Sequence, residues 1–201
     1  MIGITRFDIT NKPMGRGAYR FTESRARWQL ANDLYRAIFA TLGMPLASGE
    51  EDVKCSKDEM AARYDCEFGV DVLLRFDNGM HITMQEKFLY TKFKTVTVEY
   101  LNNPTTGDTG DWFDMRAQYY FVGYDQDKRM QWDRWIIINW PAAQMLTNQN
   151  KIFWFDNKNK RDGAKASFRY TYMDKIPDEC IVASSYQAKF SQISKGQMGL
   201  V

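Results

Sequence analysis

Asp71, Gln85 and Lys87 are the residues of this chain whose types and spacing could act together chemically. A carboxylate and an amide oxygen make a hard-oxygen site for Mg²⁺, an ion that keeps several waters and takes phosphate oxygens as further ligands. Such an ion activates water and neutralises charge on a scissile phosphate. A lysine beside it can orient or deprotonate the water and stabilise the developing oxyanion. Together the three side-chain types form the equipment for phosphodiester hydrolysis.

Two strands must gather them. Val70 to Phe76 is β-branched and aliphatic, Asp77-Asn78-Gly79 is a hairpin turn signal, and His81 to Leu89 resumes in strand-like alternation. Alternation puts Gln85 and Lys87 on one face and Met84, Glu86 and Phe88 on the other. Closing the hairpin at Asn78-Gly79 returns Asp71 to the end of the second strand, so acid, amide and lysine are expected to converge.

Asp71 followed by Gln85-Glu86-Lys87 resembles the PD-(D/E)xK nuclease superfamily, in the variant where glutamine stands for the second acid; GVDVLL followed by MQEKF is similar to the Mrr-type restriction endonuclease branch. The resemblance spans residues 65 to 99, with Val70 where a proline would precede the acid. It implies an α/β (α+β) fold with a restriction-endonuclease-like core, a mixed central β-sheet flanked by helices. It implies DNA cleavage dependent on Mg²⁺, or Mn²⁺ in its place, with Asp71 and Gln85 on the metal and Lys87 as the catalytic lysine. Nucleases of this kind come from bacteria, phages and mobile elements, and often act as homodimers because a duplex has two strands to cut. The resemblance also nominates Glu23 or Asp33 from a preceding helix and Gln118 or Tyr119 beyond the third strand; Asp65 and Glu67, a few residues from Asp71, and Glu99, on the strand expected beside Gln85 and Lys87, are further supporting candidates.

Composition bounds the alternatives. At 201 residues, 44% hydrophobic and 26% charged, the chain can bury one well-packed core. The expectation is a single domain over 1–201, its core about 22–146, with a C-terminal basic and aromatic extension over 147–201. Net charge is only +2, so contact with nucleic acid must come from a local patch. The segment Lys151 to Lys175 supplies one, with Lys158, Lys160, Arg161, Lys165 and Arg169 interleaved with Phe153, Trp154, Phe155, Phe168, Tyr170 and Tyr172. This pattern suits phosphate contact with base stacking; it equally suits a hairpin with buried aromatics around a turn at 156–163. Three cysteines without paired spacing and a single histidine, His81, argue against structural zinc and against histidine-based nuclease mechanisms. Sparse cysteine usage and the lack of a long apolar run point to a reducing, cytoplasmic setting.

The remaining elements follow from periodicity. Ile2 to Phe7 reads as a short strand in a basic arm. Thr22 or Ser24 caps a helix with Trp28, Ala31, Tyr35, Ile38 and Leu42 on its apolar side, ending at Gly43 before Pro45. Residues 56–63 read as a short helix. Thr95 to Tyr100 alternates as a third strand, expected beside the Gln-x-Lys strand, and 102–110 reads as a surface loop. Residues 111–124 read as helix or as a strand from Ala117. Trp132 to Trp140 is a fully buried strand stopped by Pro141, which opens a short helix. The end of the chain reads as a polar tail with a short helix over 186–193. Two rivals stand beside the nuclease reading: the same fold without chemistry, binding DNA or protein, and a phage-type structural or inhibitory protein using its aromatic surface as an interface.

Overall fold

The computed structural model describes residues 4–6, 17–47, 68–103, 105–126, 128–157 and 166–190, with side chains over 26–47, 68–101, 105–126, 128–157 and 166–190. In chain order the elements are β1 (Ile4–Arg6), α1 (Gly17–Thr41), β2 (Val72–Arg75), β3 (His81–Leu89), β4 (Thr95–Asn103), β5 (Asp108–Thr109), α2 (Asp111–Asp114), β6 (Tyr119–Tyr124), β7 (Arg134–Asn139), α3 (Trp140–Asn148), β8 (Phe155–Asn157), β9 (Ser167–Tyr172) and β10 (Ile181–Ser184). Single 3₁₀ turns cover Met173–Lys175 and Asp178–Cys180.

The uninterrupted apolar run Trp135 to Ile138 is the signature of a strand covered on both faces. Along β7, Trp135 and Ile137 enter one core and Ile136 and Ile138 the other, all fully buried. Each such side chain contributes about 1.5–3 kcal/mol, so this strand anchors both layers. The main sheet has the order β1-β2-β3-β6-β7-β10 among the described residues. It is mixed: β3 and β6 run parallel, and the other neighbours are antiparallel. On one side, Ala31, Leu34, Tyr35, Ile38 and Phe39 of α1 pack on Val72, Leu74, Met84, Phe121 and Ile137. Opposite, a second sheet ordered β5-β4-β9-β8 and helix α3 supply Val96, Val98, Ala143 and Leu146 against Tyr120, Val122, Tyr124 and Ile138. The class is α+β, with helix and sheet layers about a mixed central sheet. No helix among the described residues is long and apolar enough to cross a membrane.

The hairpin forms where the turn signal stands: Phe76 N donates to Met80 O at 2.9 Å, and Gly79 takes φ +84. Other expectations shift. Helix α1 begins at Gly17, ahead of Thr22 and Ser24, because residues of adequate helix propensity precede those capping types and neither forces a start. It ends as expected, with Gly43 at φ +76 and Met44 N donating back to Phe39 O. Strand β4 is not the neighbour of β3; it joins the second sheet, and β3 is flanked by β2 and β6. The expected loop at 102–110 is partly a hairpin, with β4 running to Asn103 and pairing β5. Residues 111–124 hold both alternatives, helix α2 and then strand β6. Asn139 caps α3 through a bond from Ala142 N, with Pro141 in its first turn. The segment past 147 supplies β8 and β9 to the second sheet and β10 to the main one, where Ile181 to Ser184 is a strand and not part of a polar tail. Residues 185–190 are turns, with Phe190 buried. The expected helix over 56–63 and residues 191–193 lie outside the described residues.

Candidate active site

Gly69, at φ +53, sets the approach of the chain into β2. A Cβ there would stand 3.0 Å from Met115 Cα, so glycine lets the segment after α2 lie close, where Arg116 N donates to Phe68 O at 2.6 Å. Asp71 follows, one residue before β2. Its backbone N donates to Met84 O at 2.9 Å, and its Oδ2 accepts from Glu86 N at 2.7 Å. The carboxylate thus extends the ladder where β2 stops, bracketing Gln85 from both sides.

Gln85 lies opposite Tyr120 on β6 and is 8% exposed. Its Oε1 is buried and meets no hydrogen-bond partner among the described residues. Such an acceptor is costly, because its lost hydration is not replaced. Lys87, two residues on along β3, donates to Glu99 Oε1 at 2.5 Å, with both side chains about a quarter exposed. Glu99 therefore reaches Lys87 from the facing sheet and not from an adjacent strand. The Lys87 Nζ also lies 5.7 Å from the centre of the Phe168 ring.

Tyr120 marks the electrostatics of this face. Its hydroxyl donates to Thr97 O at 2.7 Å. Burial pushes its phenol pKa well above the ordinary value, and the charges of Asp111, Glu99 and Asp71 push further in the same direction. Three carboxylates on three elements are thus felt at one buried phenol, with Lys87 the ammonium bound to one of them. Gly110 enables part of this convergence, since a Cβ there would come within 2.8 Å of Glu99 O. Asp111 and Tyr120 escaped sequence reasoning; a glycine-acid pair directly after a strand and hairpin was the available signal for Asp111.

Glu86, between the two candidate residues, faces the other way and accepts from Tyr35 Oη of α1 at 2.6 Å. Gln118 accepts from Thr83 N at 2.9 Å through its Oε1, while its own N donates to Thr83 Oγ1 at 3.1 Å. That reciprocal pair fixes the start of β6 against β3 and leaves the Gln118 carbonyl occupied. Tyr119 packs partly buried on the α1 side of the sheet, and Asp33 accepts from Gln29 on the exposed surface of α1. Glu23 belongs to α1 by its backbone; Asp65, Glu67, Lys158, Lys160, Arg161 and Lys165 lie outside the described residues. Arg169 is held within the fold: its Nε donates to Asp156 at 3.0 Å, and its guanidinium lies 4.8 Å from the Trp112 ring centre and 5.4 Å from that of Tyr100. Cys180 is buried and unbridged.

No group of three or more His, Cys, Asp or Glu side chains among the described residues is spaced to hold a metal ion. The pair offered by Asp71 and Gln85 is of a different kind, one carboxylate and one amide oxygen. Two such oxygens supply only part of an ion's shell, and the buried Gln85 carbonyl, without a partner among the described residues, is the atom of the pair left to engage one. Comparison with family models, curated proteins and solved structures finds no match for this chain.

Proposed function

We propose that this protein is a Mg²⁺-dependent deoxyribonuclease of the PD-(D/E)xK kind, acting on DNA in the cytoplasm as a homodimer, with Mn²⁺ able to replace Mg²⁺. The observation that carries the reading is the buried, unsatisfied Gln85 carbonyl bracketed by Asp71, with Lys87 on the same strand face. Charge supports metal dependence: the carboxylates of Asp71, Glu99 and Asp111 all bear on Tyr120, and Lys87 pairs with Glu99. A divalent cation at this face would lower the cost of bringing a phosphate beside these carboxylates. Asp71 and Gln85 would hold that ion, which supplies water activation and neutralises charge on the phosphate. Glu99 fixes the Lys87 ammonium in place, so it meets developing charge on the phosphate without searching for its position. Tyr120 stays a neutral phenol and adds no further negative charge.

The Lys87–Glu99 pair also favours a second reading, a DNA-binding protein of this fold without chemistry, since a lysine neutralised by a carboxylate is a weaker electrophilic aid. Incubating wild type, Asp71→Ala and Lys87→Ala with linear, circular and single-stranded DNA in Mg²⁺ separates the two. The expected result is cleavage by wild type that falls at least about 100-fold in each variant, with calorimetric uptake of the ion lost in Asp71→Ala. Wild-type cleavage in either variant would sink the assignment. Salt-sensitive binding without cleavage or metal uptake would establish the second reading.

A further inference from the structure

One side of the second sheet bears aromatic rings that the two cores do not use. Phe168, Tyr170 and Tyr172 share one side of β9, and opposite them stand Glu99, Thr97 and Thr95 of β4 and Asn157 and Phe155 of β8. Phe155 stacks on Tyr170 with ring centres 5.3 Å apart and meets Phe153 edge-on at 4.9 Å; Tyr172 lies 6.2 Å from both Phe155 and Tyr170. Within Phe153-Trp154-Phe155 the alternation is plain: Trp154 packs inward on Trp112 and Trp140, and its two neighbours face out. Phe153 is 70% exposed, Tyr172 46% and Phe155 41%. Burial does not account for rings so placed.

Two observations say what covers them. The row of rings starts at Phe168, directly beneath the Lys87 ammonium, so it leads out from the candidate active site. Exposed Lys151 stands two residues before Phe153, and the Lys94 carbonyl accepts from Met173 N next to Tyr172. Exposed Lys92 and Lys94 stand in sequence just before Thr95, the partner of Tyr172. Flat rings among cations suit unpaired bases and their phosphates, and do not suit a duplex whose bases are already stacked on one another. We infer that this aromatic face is a platform for a single-stranded stretch of nucleic acid. The inference rests on the nuclease reading for its link to Lys87, and it deepens that reading by making DNA with an unpaired segment the substrate class.

The test is fluorescence anisotropy of a mixed-sequence single-stranded oligonucleotide and its duplex, in chelator at low salt, so that binding is read without metal or cleavage. Wild type is expected to prefer the single strand. Phe153→Ala and Tyr172→Ala, both exposed and checked for native melting, are expected to lose about 5- to 150-fold in single-strand affinity. Tyr172→Phe, which keeps the ring, is expected to retain it. Because binding is read in chelator, failure of cleavage alone leaves the platform standing. Unchanged single-strand affinity in both alanine variants would overturn it, as would alanine variants that alter sedimentation instead, assigning the face to a protein interface.

Discussion

Replacing Gln85 with methionine should stabilise the metal-free protein while removing its capacity for the ion. The Gln85 Oε1 is buried without a partner among the described residues, and an unsatisfied buried acceptor costs about 1–3 kcal/mol. Methionine matches glutamine in length and fills the same volume with nothing to desolvate, so little packing is lost. The net gain expected in chelator is about 1–2 kcal/mol, a rise in Tm of about 2–8 °C for a chain of this size. Mg²⁺ should then stabilise only one of the two proteins. Wild type gains about 2.7 kcal/mol when the ion stands at one hundred times its dissociation constant, and Gln85→Met gains nothing. Urea melts of both proteins across a Mg²⁺ series check this as a crossing of two lines. Equal Mg²⁺ stabilisation of both, or a Gln85→Met protein less stable than wild type by more than about 1 kcal/mol in chelator, would refute the reasoning.

Three further outcomes follow from neighbouring groups. Tyr35→Phe removes the donor to Glu86 and should cost about 1–3 kcal/mol in urea unfolding, yet leave DNA affinity unchanged because Glu86 faces away from Lys87. Arg27→Ala removes the guanidinium from buried Asp125, 3.4 Å away, leaves the carboxylate to the backbone N–H groups of Arg129 and Met130, and should cost about 3 kcal/mol by the same melts. Tyr120, raised by burial first and by three carboxylates after it, should keep its proton in the folded state above pH 10. Unfolded, the same phenol loses it near pH 10. The unfolded state then binds fewer protons, so stability should fall as pH rises past that point, by up to about 1.4 kcal/mol per pH unit. Alkaline melts that steepen above pH 10, with this tyrosinate absorbance appearing only on unfolding, are the expected record.

Local pattern carried the parts of the site that local geometry determines. The β2–β3 hairpin, the shared face of Gln85 and Lys87, and the opposite face of Glu86 all follow from a two-residue period and one Asn-Gly turn. Strand β7 was legible because four consecutive buried apolar residues admit no other placement at that length. Partnership was not legible. The alternation of Thr95 to Tyr100 identifies a strand, but nothing in a strand's own sequence names the sheet it joins, so Glu99 was expected beside Lys87 in one sheet and instead meets it across two. Strand β10 is four residues long and too short for periodicity to register. The unsatisfied state of Gln85 is a property of everything packed around it, and no residue near it in sequence announces it. Arg169 is expected from its pattern to contact phosphate; in the fold Asp156, Trp112 and Tyr100 surround it.

The parallel pairing of β3 with β6 makes everything between them, residues 90–118, a crossover that contains β4, β5 and α2. Strand β4 then waits for β9, which the ribosome makes some seventy residues later by the numbering of the chain. During synthesis Asp71, Gln85 and Lys87 emerge well before Phe168, which lies beneath Lys87, and before the strand that pairs with Glu99. A nascent or truncated chain lacking β9 would expose Val96 and Val98 and hold Glu99 on an unpaired strand. In the order of its making, then, the hairpin that gathers Asp71, Gln85 and Lys87 precedes the strand that completes the surroundings of Lys87, and truncation before residue 167 should yield a protein without that environment.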